Sequence, residues 1–291
     1  MSQRGVRIRP RVWCFTPHPV LETKFETPAG RIVSSAGGKA HNVARQLHRW
    51  SVPAISVVGY DGGEGKAWWD LAQREGLKVW RIPVRAGERQ GWAVLKKGVG
   101  RIDFFTQDLR IEPRDWKKVR DFWIRNLKQG DWWVVAGSSA TGWPRGWWRR
   151  LIADVQNKGV SVLVDSRGAI LREAVAAGAD WIKCNLSEAE QTTGRKGVGG
   201  CIPKLAGSET TGVVITLGQK GLVAVVNGVR LSIPAPTVKV VDPTGSGDVV
   251  TAALIYGEIN GWSTVRTLRK AAWLGSIHAA CRDGKMCGGP P

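Results

Sequence analysis

Apolar and polar positions follow two rhythms along this 291-residue chain. Short apolar runs bounded by glycine, proline or polar residues read as strands at 12–15, 54–59, 79–82, 131–136, 160–164, 181–183 and 213–216. Between and after them, apolar residues recur at helical spacing at 39–47, 67–75, 115–128, 145–157, 169–177, 249–259 and 264–280. Such alternation predicts an α/β fold with a mainly parallel sheet covered by helices on both faces.

Two strand-rich patches, at about 20–34 and 88–107, interrupt that rhythm and suggest one small sheet standing apart from the main one. The second reads as a hairpin, 92–97 with 101–105, around Gly98-Val99-Gly100. A further hairpin is expected at 223–226 and 231–233, because Asn227-Gly228 is a strong two-residue turn signal. Residues 16–22, with prolines at 17 and 19, are expected to run as an extended loop, 61–65 as a tight loop and 194–200 as a glycine-rich loop. The run Val238, Val240, Val241 predicts a buried strand ended by Pro243 and Gly245.

Composition narrows the partners. Lys plus Arg is 43 against 24 for Asp plus Glu, a formal charge of +19, which favours anionic partners such as nucleic acid, membrane surfaces or phosphorylated small molecules. The basic residues are spread along the chain and mark no single patch. Of the sixteen tryptophans, many adjacent as in Trp68-Trp69, Trp132-Trp133 and Trp147-Trp148, most fall in strand-like or amphipathic runs and read as core or half-buried surface, not as a base-stacking array. No apolar run reaches the roughly 18 residues of a membrane span, and the basic start (Met1 to Arg7) has no apolar stretch after it, unlike a secretory leader. Five scattered cysteines without a C-x-x-C pair suit reduced thiols in a cytoplasm and argue against a zinc site.

Candidate chemistry gathers where strands end. Polar residues recur there, namely Ser138, Asp165, Asn185, Glu188, Thr216 and Asp248, and open α/β sheets bind ligands beyond those ends. At 242–248 a glycine turn leads into a helix, placing free backbone N–H groups at its positive end, an arrangement that holds anionic oxygen. An acid there, Asp248, repels an anion unless it takes a proton from a hydroxyl that attacks a held phosphoryl group. The same residues also suit an Asp that merely caps a strand-to-helix turn. At 36–47 two glycines precede a helix, and Lys39 sets a cation against the helix dipole, pointing to an anionic or polyhydroxyl ligand or to a solvated loop lysine.

Taken together, 12–282 resembles the ribokinase-like (PfkB) carbohydrate kinase family. Asp242-Pro243-Thr244-Gly245-Ser246-Gly247-Asp248 resembles that family's D-T-T-G-A-G-D signature, and Ala36-Gly37-Gly38-Lys39-Ala40-His41-Asn42-Val43-Ala44 its P-G-G-K-G-x-N-V-A signature. Lys183-Cys184-Asn185-Leu186-Ser187-Glu188 resembles N-x-x-E, and Thr216-Leu217-Gly218-Gln219-Lys220-Gly221 the nucleotide loop. Thr16 to Glu22, Ala136 to Gly142 and Val164 to Gly168 are similar to elements of the 1-phosphofructokinase and tagatose-6-phosphate kinase branch.

The resemblance implies one ribokinase-like α/β domain over 1–291, with a small β lid from insertions at about 18–35 and 87–108, which closes over sugar and pairs two copies into a homodimer. It implies phosphorylation of a sugar phosphate by ATP with Mg2+. Asp248 is then the base, with Gly245, Ser246 and Gly247 holding the phosphoryl group. Glu22, Gly37, Gly38, Lys39, Asn42, Arg89 and Ser138 hold the acceptor. Lys183, Asn185, Thr216, Gly218 and Gly221 face the nucleotide, Asn185 and Glu188 organise Mg2+ through water, and Asp242 with Thr244 offers a monovalent cation site for K+. Glu22 and His18 stand where the branch has Asp and Asn, and Arg89 is one place from the expected arginine, reversing its face in a strand. An unphosphorylated sugar or nucleoside is therefore the alternative acceptor, and an inactive anion- or nucleic-acid-binding relative the third reading.

Overall fold

The computed structural model describes residues 10–27, 30–59, 65–84, 89–96, 100–106, 110–207, 209–281 and 291. The chain starts in the middle of its sheet with β1 (Val12–Thr16). It leaves for β2 (Val20–Thr27) and β3 (Arg31–Gly37), then enters α1 (Lys39–Arg49), β4 (Ala54–Gly59), α2 (Lys66–Gln73) and β5 (Lys78–Ile82). A second excursion, β6 (Arg89–Lys96) and β7 (Gly100–Phe105), precedes α3 (Pro113–Asn126). Then β8 (Trp132–Ala136), α4 (Trp147–Gln156), β9 (Ser161–Asp165), α5 (Gly168–Ala177), β10 (Trp181–Asn185), α6 (Leu186–Thr193), α7 (Gly197–Leu205) and β11 (Gly212–Thr216) follow in strict alternation apart from the helix pair. The chain closes with β12 (Leu222–Val226), β13 (Val229–Ile233), α8 (Ser246–Ile259) and α9 (Thr264–Ala279).

Among the described residues the main sheet runs β13-β12-β11-β10-β9-β8-β1-β4-β5. The seven strands from β11 to β5 are parallel, and the β12–β13 hairpin adds an antiparallel edge. Strand order reverses at β1, which lies between β4 and β8, so the crevice for a ligand opens beyond the ends of β1 and β8. Period-two alternation divides the core. On β1, Trp13 and Phe15 join the cluster containing Trp123, Trp133 and Trp148, while Val12 and Cys14 join the one containing Val43, Ala253 and Leu274. Of the sixteen tryptophans eight are buried, seven are half-buried and only Trp273 is exposed, so their abundance serves the core and its margins.

The second sheet, β3-β2-β6-β7, is built by the two interruptions, which meet through a parallel β2–β6 pairing. Its strand β3 runs almost directly into α1, so it stands over the mouth of the crevice.

Several sequence expectations are corrected. Val238 to Val241 form no strand, and Val241 is 45% exposed. The β12–β13 hairpin already closes that sheet edge, and the amides of Val241 and Asp242 instead donate to the Ala279 carbonyl at the end of α9 (2.8 and 3.1 Å). The loop expected at 194–200 is half helix: Gly194 ends α6 in the left-handed region, and α7 begins at Gly197, whose amide donates to Glu190 Oε1 (2.8 Å). Burial of Cys201 and Leu205, four apart, outweighs the poor helix propensity of its glycines. Val20 to Glu22, expected as loop, open β2, because β6 offers them a ladder partner. The loop at 61–65, except Gly65, and the turn residues Gly98 and Val99 lie outside the described residues.

Trp123 is fully buried at the centre of an aromatic group, 5.1 Å from both Phe15 and Trp133 and 6.2 Å from Trp13 between ring centroids. Its indole N–H has no hydrogen-bond partner. Trp123→Ala is expected to cost about 3–5 kcal/mol of unfolding free energy. Trp123→Phe should cost less than half as much, since it removes an unpaired buried N–H along with one ring. Urea unfolding followed by circular dichroism checks both; equal losses would show that the indole N–H is not a liability.

Candidate active site

The first turn of α8 is fixed by its glycines. Gly245, with φ 79°, is the left-handed N-cap. At Gly247 a Cβ would stand 2.9 Å from the Lys183 ammonium. Any larger residue there would displace Lys183. Among the described residues the amides of Gly245 and Gly247 have no hydrogen-bond partner, whereas the Ser246 amide donates to Pro243 O (3.2 Å). The turn therefore leaves the two glycine amides for an anion, and Ser246, expected to contribute a third, spends its amide on the turn.

Asp248 follows, 6% exposed, and its Oδ2 accepts from Asn42 Nδ2 (2.7 Å). Burial, then the nearby charge of Asp165, pushes its pKa up to about 6, against the pull of Lys39, Asn42 and Lys183. Asn42 is itself held: its Oδ1 accepts from Arg45, which forks onto Glu75 (2.6 Å to each oxygen) and also donates to Ala36 O. Glu75 further meets His41, whose other ring nitrogen faces Ser56 (2.8 Å). Burial opposes the charge on Glu75, but His41 and Arg45 outweigh it and hold its pKa down to about 2. A chain of bonds thus orients the base, and Arg45, Glu75 and His41 were not foreseen. Their only sequence signal was the helical spacing of His41, Asn42 and Arg45 on α1.

Below the turn lies Asp165, the last residue of β9 and wholly buried. Its Oδ2 accepts from Lys183 Nζ (2.8 Å) and Thr251 Oγ1 (2.7 Å), and its Oδ1 faces Lys39 Nζ (3.4 Å). Lys39 also donates to Glu188 Oε1 (3.0 Å). Burial disfavours the charge on Asp165, but Lys183 and Lys39 reverse that and lower its pKa. Burial likewise opposes the charge on Lys39, and Asp165, Glu188 and Asp248 together raise its pKa. Two neighbouring carboxylates are therefore driven apart, one locked as an ion and the other made basic.

On the nucleotide side, Asn185 and Thr216 are register partners at the ends of β10 and β11. Gly218 and Gly221 follow in a short 3-10 turn, and at Gly221 a Cβ would stand 2.1 Å from the Ile233 carbonyl. Asn185 and Glu188 form a reciprocal capping box at the start of α6 (2.8 and 2.9 Å). With one Glu188 oxygen on Lys39 and the other on the Asn185 amide, neither residue is a spare direct metal ligand. No group of three acidic, His or Cys side chains is set to hold a metal among the described residues. The oxygen donors fit a hard cation that arrives on phosphate oxygens with most of its waters.

On the acceptor side, Gly38 has φ 125°, and a Cβ there would stand 2.5 Å from Thr16 Cγ2. Glu22 lies opposite Ser35 and Gly91 in the second sheet, beside Gly37. Ser138 follows the end of β8, next to Gly137, which packs on Lys39. Arg89 opens β6 opposite Val20, and its side chain lies outside the described part. Direct bonds join Lys39, Asp165, Lys183 and Glu188 in one group and Asn42 to Asp248 in another, and the charges of Asp165, Lys39 and Lys183 act on Asp248 across the gap between them.

Asp242 and Thr244, offered above to a monovalent cation, are otherwise engaged. Lys24 Nζ from β2 stands 3.4 Å from Asp242 Oδ2, and the Thr244 amide donates to Asp242 Oδ1 (3.0 Å). The Thr244 carbonyl accepts from His278 Nε2 (2.8 Å). As arranged, these residues do not fit K+. Lys24 was not foreseen, since nothing local in β2 signals a partner 218 residues away.

The chain is similar to known proteins over most of its length. Tagatose-6-phosphate kinase of Staphylococcus epidermidis is 23% identical over 253 residues, covering 84% of this chain and 81% of its own. The crystal structure of phosphofructokinase-2 from Escherichia coli in complex with fructose-6-phosphate superposes with a TM-score of 0.82 at 23% identity, over 93% of this chain and 94% of that one. A possible 1-phosphofructokinase from Thermotoga maritima gives 0.84 at 16% identity, over 95% and 94%. These structural likenesses carry the fold. The model of the pfkB family carbohydrate kinases matches residues 21–287, which takes in every element after β1, all but the first residue of β2, the α8 turn and the residues bonded around it, so the chain belongs to the pfkB family of carbohydrate kinases.

Proposed function

We propose that the protein transfers the γ-phosphoryl group of ATP to a hydroxyl of a sugar phosphate of the fructose 1-phosphate or tagatose 6-phosphate class. The observation that carries this reading is Asp248, a buried carboxylate of raised pKa in the same helical turn as two unpartnered glycine amides. The acceptor hydroxyl gives its proton to Asp248, its oxygen attacks the γ-phosphorus, and the bond to the β-phosphate oxygen breaks to release ADP. The amides of Gly245 and Gly247 neutralise charge on the transferring group, and Lys39, held by Asp165 and Glu188, adds fixed positive potential. When bound, Mg2+ would neutralise charge on the nucleotide phosphates, and Asn185 and Glu188 are the residues that would hold it through water. Thr216, Gly218 and Gly221 line the nucleotide.

The acceptor sits between the α8 turn and the second sheet, held by Glu22, Gly37, Gly38, Asn42 and Ser138 with Arg89 at the sheet's edge, and that sheet acts as the lid that excludes water. The relatives' names and the strongly basic chain support a phosphorylated acceptor. We place the Lys24 ammonium in the role that K+ would otherwise play beside Asp242. Exposed apolar side chains at both edges of the second sheet, Ile32 (63%) on β3 and Phe104 (55%) on β7, support a homodimer through the lid.

Asp248→Asn is expected to lower kcat by about 10²–10⁴-fold with ATP affinity near normal, as loss of a general base does. In the parent enzyme, kcat/KM should fall as pH drops through about 6, because protonation removes the base; steady-state kinetics with phosphorylated and free ketohexoses from pH 5 to 8 reads both, and turnover only with free sugars would replace the acceptor assignment. Exchanging K+ for Na+ or tetramethylammonium at constant ionic strength should leave kcat nearly unchanged, while Lys24→Met should lower it and make it respond to K+. A strong K+ requirement in the parent enzyme would overturn the role given to Lys24. Sedimentation analysis should find a dimer that Ile32→Asp with Phe104→Asp converts to monomer; a dimer that survives both changes does not use the lid.

A further inference from the structure

A second concave site lies between the loops that follow β8 and β9, with Ser138 among its lining residues. Its volume is about 1060 Å³, and residues 138–150 and 167–176 wall it. Five arginines line it: Arg145, Arg149 and Arg150 at the start of α4, Arg167 before α5, and Arg172 within it. All five are exposed, and among the described residues none has a carboxylate partner. The single acid in the wall, Glu173, accepts the amides of Gly146, Trp148 and Arg149 (2.6, 2.9 and 3.3 Å), so it caps α4 and is no counterion for the guanidinium groups.

Five like charges in one cleft repel, and salt screens that repulsion fully only beyond about one Debye length, roughly 8 Å at physiological ionic strength. Elsewhere the chain pairs its buried-site cations with care, as at Lys39, Lys183 and Arg45. The same wall also holds two buried polar atoms without a partner, Ser139 Oγ and Trp143 Nε1. Guanidinium forks and an indole N–H can only donate, and the serine hydroxyl can donate as well as accept, so the wall is rich in donors.

We propose that this cleft binds a small molecule carrying two or more phosphate groups, at a site that shares Ser138 with the acceptor side but is held by arginines the phosphoryl-transfer reading does not use. Several forks around a space of this size match multiple phosphate oxygens better than a single monoanion. Single-stranded nucleic acid fits less well, because Trp143 and Trp148 pack against Trp147 (ring centroids 4.2 and 5.0 Å) and are not presented as stacking platforms. The assignment does not need the kinase reading, since binding is measured directly.

The test is calorimetric titration of the full chain with inorganic tripolyphosphate, parent against the triple variant Arg149→Ala, Arg150→Ala, Arg172→Ala. All three positions are exposed helix surface, so folding by circular dichroism and sugar-kinase turnover should be retained. One binding event should weaken at least about tenfold in the triple variant, the loss of several charge-assisted contacts, and should weaken with added salt. An Arg266→Ala, Lys270→Ala variant, which strips a basic face of α9, should bind as the parent does. Unchanged affinity in the triple variant, an equal loss in the α9 variant, no saturation below about 10 mM, or binding of a single-stranded oligonucleotide but not of tripolyphosphate would each overturn the proposal.

Discussion

One buried carboxylate ties the centre of this protein together. Asp165 carries ammonium groups from α1 and β10 and a hydroxyl from α8, so a single side chain at the end of β9 fixes three elements around the anion turn. Taking such charges out of water is costly unless every lone pair and proton is matched, and here the matching is close to complete. Removing the carboxylate would leave Lys183, 2% exposed, without its partner and pull apart the floor on which Gly247 rests.

The same charge sets the chemistry of its neighbour. Asp248 lies near enough to Asp165 to feel its negative charge, and its burial adds to the effect, so it ionises less readily than an ordinary aspartate. Nothing but Asn42 is bonded to it among the described residues, and Asn42 is clamped from behind by Arg45 and Glu75. A base needs a free lone pair and a fixed direction, and this arrangement supplies both. The lysines restrain the opposite tendency, since without them two close carboxylates would not both ionise.

Around that centre the two sheets divide the labour. The main sheet reverses its strand order at β1 and so opens a crevice there, while the second sheet, inserted between β1 and α1 and again between β5 and α3, stands across it. Lys24 links the two, reaching from β2 to Asp242 just ahead of the anion turn. At this centre each lysine is balanced by an acid, whereas five of the chain's exposed arginines line the cleft between the loops after β8 and β9.

By itself the sequence determined the alternation of elements, the two interruptions that become the second sheet, and the turn chemistry. These are local matters: period two or 3.6, glycines at Gly38 and Gly245 where φ is positive, and Asp248 one turn into a helix. Local signals failed where a neighbour distant in the chain decided the outcome. Val238 to Val241 had the look of a strand but met an edge already closed by β12 and β13, and the glycines of α7 were overruled by the burial of Cys201 and Leu205. The partners of the site residues belonged to the tertiary structure alone. Lys39 could be seen to oppose its helix dipole, but not to rest on Asp165, 126 residues on; Asp242 could be seen as an acid before a turn, but not as the seat of Lys24. Pairing across such separations is written in no local period, because it depends on which strand ends the packed sheet sets side by side.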